Sequence, residues 1–223
     1  MYATPSNTTS EVSVVTAATT NSTINSDALH VVMVLDASGS MESIADNIIE
    51  AVNTFINKQK EIKEDDMVFT LVSFNSNVRT PVKKIKISDM FVITSKHYKP
   101  DGGTALYDAI GETIVNYKDD KKVCMVIVTD GEENSSSYYN LEEVKSMIEA
   151  KKEEGWKFIY LSSDLSVAKQ GNNISLNSAA YGQKNVSSNN IYSAELSSAI
   201  VEECYTAVEY IRKTGEMYGM GSD

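Results

Sequence analysis

Short runs rich in Val, Ile and Phe alternate along this chain with longer stretches whose apolar residues recur at helical spacing. His30 to Leu35, Met67 to Phe74, Lys122 to Thr129 and Lys157 to Ser162 are nearly continuous apolar runs, the pattern of parallel strands buried on both faces. Between them, Met41 to Lys60 sets Ile44, Ile48, Val52, Phe55 and Ile56 on one helical face. Ala105 to Tyr117 repeats this with Leu106, Ile110, Ile114 and Tyr117, and Leu141 to Glu153 with Val144, Met147 and Ile148. A final helix is predicted from Ala194 to Arg212 through Leu196, Ile200, Cys204, Val208 and Ile211. Val78 to Ser88 differs, because Pro81 cannot donate to an interior ladder and Lys84, Lys86 and Ser88 alternate with Ile85 and Ile87. A short antiparallel edge strand fits, with a bulge near Lys83 that brings Val82 into phase. The whole pattern predicts an α/β fold in three layers, a mostly parallel sheet with helices on both faces.

The two ends read differently. Residues 1–27 are dominated by Thr, Ser and Asn and lack the apolar surface to offset the entropy of ordering, so a flexible arm is expected there. The Val-rich stretch from Glu11 to Thr16 is the one part that could add an edge strand. Residues 28–212 form the domain, and 213–223 a flexible tail.

Composition narrows the partners. The formal net charge of -11 disfavours nucleic acid and anionic membranes, and the lysine runs at Lys58 to Lys63 and Lys83 to Lys86 read as solvated faces. No stretch approaches the roughly 18 apolar residues of a membrane span, and no basic-then-apolar leader opens the chain, so a cytoplasmic location is expected. Cys124 and Cys204 fit no metal or redox spacing and read as buried thiols. The Asn-x-Ser/Thr sequons at Asn7, Asn21, Asn134, Asn173 and Asn185 are what chance gives in a chain so rich in these residues.

In open parallel sheets, ligands bind beyond the carboxyl ends of the strands. There the chain carries Asp36-Ala37-Ser38-Gly39-Ser40 after the first strand and Asp130-Gly131-Glu132-Glu133-Asn134 after the third parallel one. Asp101-Gly102-Gly103-Thr104 opens the helix between them. Mg²⁺ takes six oxygens, keeps several waters and uses one or two carboxylates. Ser38, Ser40 and Thr104 offer hydroxyls, and Asp36 and Asp130 offer carboxylates that act directly or through water. With both carboxylates working through water, one position on the ion attracts an external Asp or Glu. Mn²⁺ and Ca²⁺ share this oxygen chemistry. Each residue also has an ordinary use: Ser38, Ser40 and Thr104 as helix caps, Asp130 as a turn residue, and Glu132 and Glu133 as a solvated acidic rim.

Taken together, D-x-S-x-S at Asp36, Ser38 and Ser40, the threonine Thr104 and the aspartate Asp130 resemble the metal-ion-dependent adhesion site of von Willebrand factor A domains. The resemblance extends over residues 28–212, with Val34 to Met41 and Gly102 to Ile110 similar to compact bacterial and phage members. It implies a Rossmann-like three-layer sandwich with a six-stranded sheet, one edge strand antiparallel, and a Mg²⁺ at its carboxyl end. The implied function is binding of a protein partner that presents Asp or Glu.

Two other function classes remain in view. A metal-dependent phosphohydrolase of the haloacid-dehalogenase kind would place a second aspartate at position 38, where this chain has Ser38. A structural subunit would use the metal only to brace three loops. The chain lacks a lysine-bearing phosphate loop and a G-x-G-x-x-G turn. A serine hydrolase would need a base, and His30 begins a strand at the wrong end while His97 is a loop residue. No catalytic activity is expected.

Overall fold

The computed structural model describes residues 27–62, 66–162, 165–176, 178–180 and 189–214, together with Asn25. The expected arm up to position 24, its Glu11 to Thr16 stretch, Asn185 and positions 215–223 lie outside the described residues.

β1 (His30–Asp36), β2 (Val68–Phe74) and β4 (Val123–Thr129) are buried at every position, as their unbroken apolar runs require of strands covered on both faces. With β3 (Val78–Lys86), β5 (Lys157–Ser162) and β6 (Ser178–Ala180) they form one sheet in the order β3-β2-β1-β4-β5-β6, parallel except for β3. β3 is the antiparallel edge that Pro81 and the lysines predict. Lys84 adopts φ 47 and the pairing with β2 shifts register there, so Val82 and Ile85 both turn inward.

Alternate residues of β1 face two apolar layers. Val31, Met33 and Leu35 pack with α1 (Ala45–Lys60) and α5 (Asn189–Thr214) through Ile48, Val52, Phe55, Leu196, Ile200 and Val208. Val32 and Val34 face α2 (Leu106–Tyr117) and α3 (Leu141–Glu153) through Ile110, Ile114, Val144 and Ile148. Cys124 and Cys204 are buried thiols in the first layer, and Trp156 packs in the second.

Three differences from the sequence pattern have physical causes. Helical spacing begins at Met41, but Gly39–Ile44 is a 3₁₀ turn closed by Met41 N–H on Ser38 O, and α1 starts at Ala45. α5 extends from Asn189 through Thr214, so the expected tail begins later than 213. α4 (Leu165–Asn173) and β6 follow no apolar period long enough to read, since β6 is only Ser-Ala-Ala.

Candidate metal centre

The strand order places β2 on one side of β1 and β4 on the other, so connections leave in opposite directions at the carboxyl ends of β1 and β4. Asp36 ends β1 and Asp130 follows β4, which puts both at that crevice. The parallel register carries on from Leu35 opposite Val128 to bring Thr129 beside Asp36, whose Oδ2 accepts the Thr129 hydroxyl at 2.6 Å. Asp36 Oδ1 accepts Ser38 N–H at 2.7 Å. The Asp36 side chain is fully buried, and burial pushes its carboxyl up to about 6 despite these bonds, with the Asp130 charge adding to the rise.

Ser38 and Ser40 continue the set. Their hydroxyls lie 3.0 Å apart, and Ser40 Oγ donates to Asp130 Oδ1 at 2.6 Å. Burial also raises the Asp130 carboxyl, opposed by that Ser40 bond. Neither serine caps a helix with its side chain, although Ser38 stands at the N-cap position of the 3₁₀ turn. Thr104 does not cap α2 either, because the N-cap position belongs to Ala105. The serine hydroxyls are therefore engaged with each other and with Asp130, not with the orphan amides of helix ends.

The loop before α2 is fastened to the exit of β1. Asp101 N–H donates to Ala37 O, Gly39 N–H to Gly102 O and the Tyr98 hydroxyl to Asp36 O, at 2.7, 3.0 and 2.5 Å. Gly102 needs its freedom at φ 75. Gly103 is needed for space, since a Cβ there would come within 2.2 Å of Ser135 Oγ and 2.8 Å of Asn134 Oδ1. A Cβ on Gly131 would lie 3.0 Å from Thr104 Oγ1 and 3.6 Å from Asp36 Oδ2, which shows the third loop converging on the first two. The structure thus brings together all five residues expected from sequence.

The arrangement fits a hard divalent cation. It offers two carboxylates and three hydroxyls, and no ion pair among the described residues neutralises Asp36 or Asp130. A buried carboxylate without a cation is costly, and a bound cation removes that cost. Among the described residues no three carboxylate, imidazole or thiol side chains gather to hold a metal, so hydroxyls would have to complete any coordination here.

Several supporting residues escape sequence reasoning. Glu133, expected as part of a solvated rim, is half-buried and accepts the N–H groups of Tyr107, Ser135 and Ser136 and the Ser136 hydroxyl, at 2.6 to 3.0 Å. Asp108, 5% exposed, accepts the N–H groups of Ser137, Tyr138 and Tyr139 at 2.8 to 2.9 Å. Asn134 Oδ1 accepts Thr104 N–H at 2.9 Å. Glu132 is exposed, as expected. His97 is engaged by Thr94 and Phe91 in its own loop.

Comparison with known proteins agrees with this fold. A sequence model described as the von Willebrand factor type A domain matches residues 30–202. No curated protein matches. Among solved structures, the vWF domain of the type V pili tip protein Mfa5 from Porphyromonas gingivalis is similar at 12% identity and TM-score 0.60, over 88% of this chain and 98% of that one. The PilB minor pilin from Streptococcus sanguinis is similar at 12% identity and TM-score 0.57, over 80% of this chain and 61% of the pilin. A von Willebrand factor type A protein from Catenulispora acidiphila gives 13% identity and TM-score 0.54, over 79% and 42%. The chain spans about three fifths of the pilin and two fifths of the Catenulispora protein, and at these identities the likeness is one of fold. On the family match over most of its length, the chain belongs to the von Willebrand factor type A domain family.

Proposed function

We propose that this chain is a protein-binding module whose grip depends on a divalent cation, Mg²⁺ in the first instance, held by Asp36, Ser38, Ser40, Thr104 and Asp130. The observation that carries the reading is the fully buried Asp36 carboxylate, close enough to Asp130 to feel its charge and paired with no cationic side chain among the described residues. When bound, the ion supplies a Lewis-acidic position for a carboxylate oxygen of a partner's Asp or Glu. The chain's own residues do the rest. Thr129 and Ser38 N–H orient the Asp36 carboxylate, Ser40 orients Asp130, and the Asn134 and Gly102 contacts hold Thr104 and the β1 exit in register.

Members of this family mediate protein–protein interaction and adhesion, and the pilus proteins among the structural neighbours suit that role. The reading does not depend on compartment and applies equally in the cytoplasm, the location expected from sequence, and at a surface such as a pilus tip. No helix among the described residues is long and apolar enough to cross a membrane. A phosphohydrolase of the haloacid-dehalogenase kind would need a carboxylic general acid two residues beyond Asp36, where this chain has Ser38.

Calorimetric titration of the metal-free chain with MgCl₂ tests the first step. Saturable binding is expected, weakened by at least about tenfold in Ser38→Ala/Ser40→Ala, the scale of lost metal-site support. Capture of a partner should then occur with Mg²⁺ and not with EDTA. Absence of binding, or an unchanged affinity in the double variant, refutes the assignment, and turnover of p-nitrophenyl phosphate abolished by Asp36→Asn would replace it with the hydrolase.

A further inference from the structure

The segment that leaves Asp130 crosses the amino end of α2 before entering α3, and it carries the most exposed of the large apolar side chains among the described residues. Tyr138 is 79% exposed. Its backbone is nonetheless fixed, because Asp108 Oδ1 accepts the N–H groups of both Tyr138 and Tyr139 at 2.9 Å. Tyr139 is half-buried with its ring against Gly111, where a Cβ would come within 2.6 Å. Together with Glu142, Glu143, Ser146 and Met147 the two tyrosines line an open pocket of about 490 Å³, within the range of ligand-sized clefts.

Charge indicates what the pocket takes. Glu142 is exposed, and Glu143 Oε2 accepts Asn140 N–H in the α3 capping box, with no other hydrogen bond to that carboxylate among the described residues. Neither forms an ion pair among the described residues. The helix end contributes only about half a positive charge, less than two carboxylates, so the pocket stays net negative. Exposed tyrosine on a fixed backbone offers a flat apolar face whose immobilisation costs little on binding.

We propose that this pocket is a second docking site, which takes an arginine side chain of a partner protein. The guanidinium stacks on the Tyr138 ring and forks to the Glu142 carboxylate, while its methylenes lie against Met147. Lysine, a compact and strongly hydrated point charge, fits this flat face less well. The site shares no donor with the metal centre and does not rest on the metal reading.

The test uses the full chain labelled with ¹⁵N and titrated with acetyl-Ala-Arg-Ala-amide, followed by amide shifts in EDTA and again in Mg²⁺. Saturable shifts are expected at Tyr138, Glu142, Ser146 and Met147, alike in both buffers. Replacing arginine by neutral citrulline should weaken binding by roughly tenfold, and Tyr138→Ala and Glu142→Gln by at least about threefold each, the scale of a cation–π contact or an exposed ion pair. Both side chains are exposed, and unchanged resonances elsewhere confirm that the variants fold. Equal binding of the citrulline peptide, wild-type affinity in both variants, or no saturable shift at these amides overturns the proposal.

Discussion

Replacing Asp36 by Asn isolates the cost of its buried charge. In the metal-free protein the Asp36 carboxyl titrates at about 6 against an ordinary value of 3.8, mainly because it is buried. Between those values the folded chain holds a proton that the unfolded chain has lost, so stability falls as pH rises through the window and the loss is complete above it. A rise of about two pH units corresponds to about 3 kcal/mol at pH 8, and roughly half of that remains at pH 5. Asn keeps the shape and removes the charge. Its Oδ1 can still accept Ser38 N–H, and its amide can donate to Thr129 Oγ1, whose hydrogen then goes to Gly131 O, already 3.1 Å away. For a chain of this size each kcal/mol moves Tm by about 2–4 °C. Calorimetric melting in EDTA should therefore show Asp36→Asn more stable than wild type by up to about 6–12 °C at pH 8, with the gap about halved at pH 5. Magnesium at about a hundred times its Kd should raise the wild type by about 2.7 kcal/mol and leave the variant unmoved. A variant no more stable than wild type in EDTA, or a gap independent of pH, would refute the electrostatic account of the site.

Asp108→Asn turns an acceptor toward Ser137 N–H into a donor, so a loss of about 1–3 kcal/mol is expected, with faster hydrogen exchange at Ser137, Tyr138 and Tyr139 as the specific readout. Gly111→Ala should cost about 1–3 kcal/mol in denaturant melts, because its Cβ meets the rigid Tyr139 ring, whereas Gly39→Ala meets nothing nearer than 3.6 Å and should be neutral. Burial lowers the His30 pKa below 6.5, so the stability held by its neutral form is complete above pH 6.5 and is lost as pH falls below it; His30→Gln should flatten that slope, and a His30 titration by NMR at or above 6.5 would contradict it.

The core of the fold was legible because its signals are local. The runs in β1, β2 and β4 read as buried strands, Pro81 and the lysines marked the edge, and even the bulge could be placed from the phase of Val82 against Ile85. β6 could not be read, since Ser-Ala-Ala has neither bulk nor period and is a strand only because β5 pairs with it. At the site, Asp36, Ser38, Ser40 and Asp130 were visible as oxygen-bearing residues at strand ends, and Thr104 as one opening a helix. Their supports were not. Thr129 matters through the parallel register that sets it beside Asp36, and Glu133 and Asp108 matter through amides that only the folded loop presents to them. Glu133 was misjudged because a Glu-Glu pair in a polar loop looks solvated until four donors are shown to converge on it.

Geometry alone does not make a catalytic site, as the amino end of the sheet shows. Thr70 Oγ1 lies 2.7 Å from His30 Nε2, and His30 Nδ1 lies 2.7 Å from Asp120 Oδ2, the hydroxyl–imidazole–carboxylate order of a hydrolase triad. Thr70 Oγ1 also accepts Lys84 N–H, and burial favours the neutral form of the His30 imidazole. Lys84 Nζ completes the chain on Asp120 Oδ1 at 2.6 Å. Yet Thr70 is fully buried and His30 is 1% exposed, so no substrate reaches the hydroxyl. These bonds tie the β3 bulge, β2, β1 and the turn before β4 into one unit and leave the lysine on the edge strand paired with a carboxylate. The proposed metal centre differs in one respect, because Ser40 is exposed while Asp36 is buried. A buried carboxylate with no cationic partner among the described residues, beneath an open hydroxyl rim, suits the proposed cation and its second ligand, whereas the amino end of the same sheet is closed by a finished network.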